Sequence, residues 1–191
     1  MSLNRLTIIY GKTGTGKTLL SKSLIKDEKR VIVIDMLDEY SDESFIVVKD
    51  FDSFYEIVTN QKEFKISCQY SNDLDIETTF QLVRKIKNLV LVVEEASIYI
   101  SPNTRQSYFL DLCRFGRHEN IKIIGISRRA SELSADFKGL SECIISLRQT
   151  EPLDLSILSK LGLNNLSDLT PYEYKPNYPP QENIHYVKKI L

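Results

Sequence analysis

The amino-acid sequence predicts one α/β domain built on a central, mostly parallel sheet flanked by helices. Three observations carry that reading. Short β-branched apolar runs alternate with helical patterns for most of the length, as parallel strands joined by crossover helices require. The 191 residues suit one hydrophobic core, since domains run to roughly 100–200 residues. Hydrophobic side chains make up 42% of the chain, enough to fill that core and to argue against global disorder.

In chain order, "LTIIY" predicts a first strand at 6–10, and the glycine run after it opens a helix over 16–26. "VIVID" and "FIVVK" predict strands at 31–35 and 45–49, followed by a helix at 51–59 and a strand at 64–69. In "DIETTFQLVRKIK" the residues Ile76, Phe80, Val83 and Ile86 share one face at spacings of three and four, so 75–87 is read as a helix. A wholly aliphatic strand at 89–94, a helix at 105–119 and strands at 122–127 and 142–147 complete the pattern. Beyond Gln149 the texture changes: "EPLDLSILSKLGL" predicts a short helix closed by Gly162, and five of the six prolines follow residue 150. The whole chain is therefore read as one domain over 1–191. Its core covers about 5–150, and a tail over about 151–191 wraps back and ends in a strand around 184–190.

Charge is balanced, with 25 Lys and Arg against 26 Asp and Glu, so no overall basic excess announces a nucleic-acid partner. Cys68, Cys113 and Cys143 lack C-x-x-C spacing and read as buried reduced thiols. No apolar run approaches the ~18 residues of a membrane span, so a soluble, cytoplasmic chain without direct membrane insertion is expected.

"YGKTGTGKT" satisfies G-x-x-x-x-G-K-[ST] through Gly11, Gly16, Lys17 and Thr18, between a predicted strand and a predicted helix. Such a P-loop cradles phosphates with curled backbone N–H groups and a helix N-terminus. The candidate nucleotide-binding set is Gly11, Thr13, Gly14, Thr15, Gly16, Lys17, Thr18 and Leu19. Lys17 would neutralise β and γ oxygens of ATP, and the Thr18 hydroxyl would hold Mg²⁺. The aliphatic run "NLVLVV" ends in Glu94 and Glu95, which a buried parallel strand delivers to the ligand-binding edge of the sheet. Glu94 is assigned to the metal and Glu95 to orienting and deprotonating the attacking water, a pairing that favours hydrolysis over transfer.

These residues resemble the HerA/FtsK superfamily of P-loop ATPases. Four segments carry the resemblance over roughly residues 6 to 150: "GKTGTGKT"; "VIVIDMLDEYSD", with Asp35, Glu39 and Tyr40 in the family's places; "LVVEEAS"; and "GRHENIKIIGISRRASELS". The resemblance implies a P-loop NTPase fold of the additional-strand, RecA-like kind. It also implies ATP hydrolysis coupled to translocation of double-stranded DNA, in a homo-oligomer that is a hexameric ring. Among the family's branches, a chain of this size is most similar to genome-packaging ATPases of membrane-containing viruses. That implies capsid or membrane proteins at a packaging vertex as further partners, and host cytoplasm or virion as the location.

The same resemblance places Arg117 where these ATPases carry an arginine that reaches a neighbouring subunit's nucleotide, with Arg114 a weaker alternative. Arg128 stands at the sensor position, where the family generally has Gln. Ser127 is the alternative sensor, with Arg128 and Arg129 then facing DNA or the next subunit. Arg84, Lys85 and Lys87 are further candidate DNA contacts. Two other readings stay open on the residues alone. One is a small-molecule kinase with lid arginines in "RQSYFLDLCRFGR"; the other is a plasmid or phage DNA-transfer ATPase of the same superfamily. A GTP switch is disfavoured by the lack of N-K-x-D.

Overall fold

A computed structural model describes residues 3–104, 106–170 and 173–177. The described strands are β1 (Leu6–Tyr10), β2 (Arg30–Ile34), β3 (Ile46–Val48), β4 (Phe64–Cys68), β5 (Leu89–Val93), β6 (Ile121–Ser127), β7 (Cys143–Leu147) and β8 (Tyr174–Asn177). They form one sheet in the order β3-β4-β2-β5-β6-β1-β7-β8. Every pairing is parallel except that of β8, which runs antiparallel to β7. The helices are α1 (Lys17–Leu24), α2 (Phe51–Asn60), α3 (Asp73–Ile86), α4 (Tyr108–Phe115), α5 (Ala135–Leu140) and α6 (Pro152–Lys160).

β6 lies between β1 and β5, pairing Tyr10 with Ser127 on one side and Val93 with Gly125 on the other. This inserted strand separates the phosphate loop from the paired glutamates, so the additional-strand arrangement implied by the sequence is present. The central strands β1 and β5 are buried along their whole length, which is why β5 is a continuous aliphatic run and β1 departs from one only at Thr7 and Tyr10.

Alternate residues of each strand feed two apolar layers. Leu6, Ile8, Ile32 and Leu91 pack with Phe54, Phe80, Phe109, Phe137 and Leu158 from α2 to α6. Ile9, Val31, Val33 and Val92 pack with Leu20 and Ile25 around α1 and with Tyr40 from the loop after β2. Among the described residues the α1 face is thus covered by one helix and one loop, and that loop reaches the phosphate-binding region. Cys68, Cys113 and Cys143 are all buried and free.

Several boundaries differ from expectation for local reasons. The helix expected over 105–119 is α4 followed by a 3-10 turn over Gly116–Glu119. Asp111 stands in the first turn of α4, and Ser107 caps its first N–H groups. α3 starts two residues early because Asn72 caps it, its side chain accepting from Asp75 N–H at 2.9 Å. α5 has only six residues, too few to show a period. The short helix before Gly162 is α6, opened by Pro152 at its first turn, and Gly162 follows with φ 85. β8 was not anticipated; the strand expected at 184–190 lies outside the described residues. Among the described residues, no helix is long and apolar enough to cross a membrane.

Candidate active site

The carboxyl ends of β1, β5 and β6 open onto a cleft of about 330 Å³, lined by Thr13, Gly14, Gly16, Lys17, Thr18, Leu19, Leu37, Glu39, Glu94, Glu95 and Arg128. Two glycines explain how the loop closes. Gly16 caps α1 with φ 96, a left-handed conformation that side chains disfavour. A Cβ on Gly11 would lie 2.5 Å from Thr15 Oγ1 and 3.0 Å from the Leu147 Cβ, so only glycine lets the loop pack back on β7. Thr15 Oγ1 then donates to the Lys12 carbonyl at 2.7 Å, and Lys17 Nζ donates to the same carbonyl at 3.2 Å. Lys12 itself is tied away from the cleft, donating to Thr150 Oγ1 at 2.8 Å.

Thr18 opens α1 facing two carboxylates. Its hydroxyl donates to Glu39 Oε2 and lies 3.5 Å from Glu94 Oε1. The oxygen-only donor set of one hydroxyl and two carboxylates fits a hard cation such as Mg²⁺. The described residues hold no cluster of three or more His, Cys, Asp or Glu that would cage a metal unaided.

Glu94 is 3% exposed. Burial first, then the charge of Glu39, push its pKa up to about 7, against the pull of a hydrogen bond from Tyr40 and the charge of Lys17. Burial lowers the Lys17 pKa, while Glu94, Glu95 and Glu39 draw it back up. The sign of the Glu94 effect gives a measurable consequence. The folded chain holds a proton that the unfolded chain releases between its ordinary value of 4.5 and about 7, so stability from this group falls as pH rises through that window. In divalent-free buffer, Glu94→Gln is expected to exceed the parent in stability by a few kcal/mol at about pH 8, with the gap closing in acid. Denaturant titrations across pH check this; a gap that does not change with pH contradicts it.

Glu95 follows with φ 48, a left-handed conformation unusual for a residue with a side chain. Its Oε1 is 3.1 Å from Arg128 Nε, which brings the candidate base and the candidate sensor into one ion pair at the cleft. The backbone at Arg128 is fixed from below, where Gln149 Nε2 donates to its carbonyl at 2.9 Å. Ser127 is fully buried, and its hydroxyl donates to the Arg129 carbonyl at 3.1 Å, so it shapes the strand exit. Arg129 turns away and pairs with Asp154, which is fully buried and also accepts the Ser131 N–H at 2.9 Å. Sequence reasoning missed Asp154. The available signal was an acid among the apolar residues of "PLDLSIL", because a buried carboxylate requires a cationic or N–H partner.

The other candidate residues lie elsewhere. Arg117 is exposed in the 3-10 turn before β6, at the amino-terminal edge of the sheet, and makes no ion pair among the described residues. Arg114 is bound to Asp136 at 3.0 Å. Arg84, Lys85 and Lys87 sit at the same amino-terminal edge, with Arg84 over the Phe115 ring and Lys87 paired to Glu119. The segment weighed as a kinase lid is instead α4, which buries Phe109, Leu110, Leu112 and Cys113 in the core. Arg105 lies outside the described residues.

Comparison with known proteins places this geometry. Residues 3–138 match the family model described as the helicase HerA central domain. No curated protein matches the chain in sequence. The genome-packaging NTPase B204 from Sulfolobus turreted icosahedral virus 2, in complex with AMPPCP, is 19% identical with a TM-score of 0.82, and 98% of each chain is covered. B204, the DNA-packaging ATPase from Sulfolobus turreted icosahedral virus, is 20% identical with a TM-score of 0.79 over 100% of each chain. The pCW3 conjugation coupling protein TcpA, in a monomer form with ATPγS, is 13% identical with a TM-score of 0.57, covering 94% of this chain and 58% of that one. At these identities the structural likeness speaks to fold, and the family match speaks to descent. The chain belongs to the family of the HerA helicase central domain and is a P-loop ATPase.

Proposed function

We propose that the chain is an ATP-driven motor that translocates double-stranded DNA, and that its task is to package a viral genome into a capsid. The observation that carries the reading is the convergence of Lys17, Thr18, Glu94, Glu95 and Arg128 on one cleft. Lys17 binds the terminal phosphates, and Glu95 orients water and takes its proton. Arg128 adds positive charge near the transferring group. The arrangement suits hydrolysis, in which Glu95 would take the proton of an attacking water. Thr18 and Glu94 would hold a Mg²⁺, which would supply charge neutralisation at the phosphate oxygens.

The DNA-packaging part of the reading is supported by near full-length structural likeness to proteins described as packaging ATPases. A hexameric ring would put Arg117 of one copy at a neighbour's cleft. Capsid or membrane proteins at a packaging vertex would be its docking partners. DNA would be gripped through sequence-independent phosphate contacts. Size and ATPase activity measured together, with and without duplex DNA, test the proposal. ATP hydrolysis that rises more than linearly with protein concentration and is stimulated by duplex DNA supports a motor. Linear rates, no response to DNA and phosphate transfer to a nucleoside would reject it.

A further inference from the structure

We propose that Glu39 is a third acidic residue of the ATP site, which orients the Thr18 hydroxyl and sets the affinity for the divalent cation that accompanies ATP. The inference rests on the ATPase reading above. It starts from the single proton of a hydroxyl. Thr18 Oγ1 stands between Glu39 and Glu94, and it donates to Glu39 while Glu94 lies at 3.5 Å. With its proton committed to Glu39, the hydroxyl oxygen keeps its lone pairs for a cation. Without Glu39 the proton turns to Glu94, and both groups assigned to the metal are then engaged with each other.

The loop after β2 is built to hold Glu39 there. Asp35, fully buried at the end of β2, accepts the Glu39 N–H at 3.0 Å and the Tyr40 N–H at 2.9 Å, and the Ser67 hydroxyl at 2.8 Å. Asp38, between them, takes the left-handed conformation that folds the loop back. Tyr40 is buried and its hydroxyl hydrogen-bonds with Ser21 Oγ at 2.9 Å, which staples the loop to α1 one turn after Thr18. The Glu39 side chain itself is exposed to the cleft. A carboxylate that open serves no packing purpose, yet four hydrogen bonds from buried groups fix the backbone around it. Groups that orient a metal ligand typically change metal affinity by about 10–100-fold when removed.

The test is equilibrium binding of a fluorescent ATP analogue at increasing Mg²⁺, together with the same titration in EDTA, for the parent, Glu39→Gln and Glu39→Asp. Glu39→Gln is expected to raise the Mg²⁺ concentration at half-effect by about tenfold or more. Nucleotide affinity in EDTA should not fall, since losing the Glu39 charge only relieves repulsion of the phosphates, and Glu39→Asp should recover part of the loss. Superimposable Mg²⁺ curves for the parent and Glu39→Gln overturn the inference, as does an equal loss of affinity in EDTA. If the parent itself shows no Mg²⁺-dependent ATP binding, the ATPase reading fails and this inference with it.

Discussion

A Glu95→Gln chain is expected to bind ATP as the parent does and to hydrolyse it between about a hundred and ten thousand times more slowly, the range that general-base catalysis contributes. The substitution keeps size and hydrogen-bonding shape but removes the ability to take a proton. Binding survives because the phosphate loop does not depend on Glu95: it closes through Gly11, Thr15 and the Lys12 carbonyl. The variant also loses the charge of the Arg128 pair. That pair is half open to solvent on the arginine side, where ion pairs contribute less than about 1 kcal/mol, so folding is little affected. Single-turnover hydrolysis beside nucleotide binding separates the two effects. Undiminished turnover would remove Glu95 from the role of base and leave Glu94, already burdened by burial, as the remaining carboxylate beside it.

Arg117→Ala is expected to cost about a thousandfold or more in turnover, as for arginines that stabilise a transferring phosphoryl group. The cause is geometric. Arg117 stands before the seven-residue β6, and the cleft lies past its end, about 20 Å away at ~3.3 Å per residue. An arginine side chain cannot span that length, so Arg117 can act only on another copy. Mixing Arg117→Ala with Lys17→Ala chains, each inactive alone, should therefore restore hydrolysis. In the proposed ring, a mixed assembly would unite the intact loop of one chain with the intact arginine of the other. Mixtures that stay inactive, or an Arg117→Ala chain with full turnover, would remove the inter-subunit role.

The parts legible in the sequence were those set by periodicity or by a local motif. The seven strands predicted before residue 150 are each present within one or two residues, and the central ones were easiest to read because a strand buried on both faces must be apolar throughout, as "LVLVV" is. The loop at 11–18 was legible because its steric demands are met by residues a few positions apart. The strand order was not, since which runs pair is decided by packing across the whole chain. Nor was the function of "DMLDEY": the bonds from Glu39 to Thr18 and from Tyr40 to Ser21 span 21 and 19 positions. Asp154 and Arg129 are 25 positions apart and meet only because α6 packs against the turn after β6. Side chains that meet across loops leave no spacing to read.

The Asp154 contacts bear on how the molecule comes apart. α6 and the turns after it contribute Leu158, Leu163, Leu166 and Leu169 to the same apolar layer as β1 and β5. The Leu166 carbonyl accepts the Gln149 N–H, and Gln149 in turn holds the Arg128 carbonyl. Detaching this segment would expose those four leucines, break the Asp154 bonds to Arg129 and to the Ser131 N–H, and loosen the Gln149 support beneath Arg128. Partial opening of the carboxyl-terminal part is therefore costly compared with unfolding everything, and that is the condition for a single cooperative transition. Fluorescence or amide exchange reporting on α6 should share one denaturation midpoint with probes at the cleft.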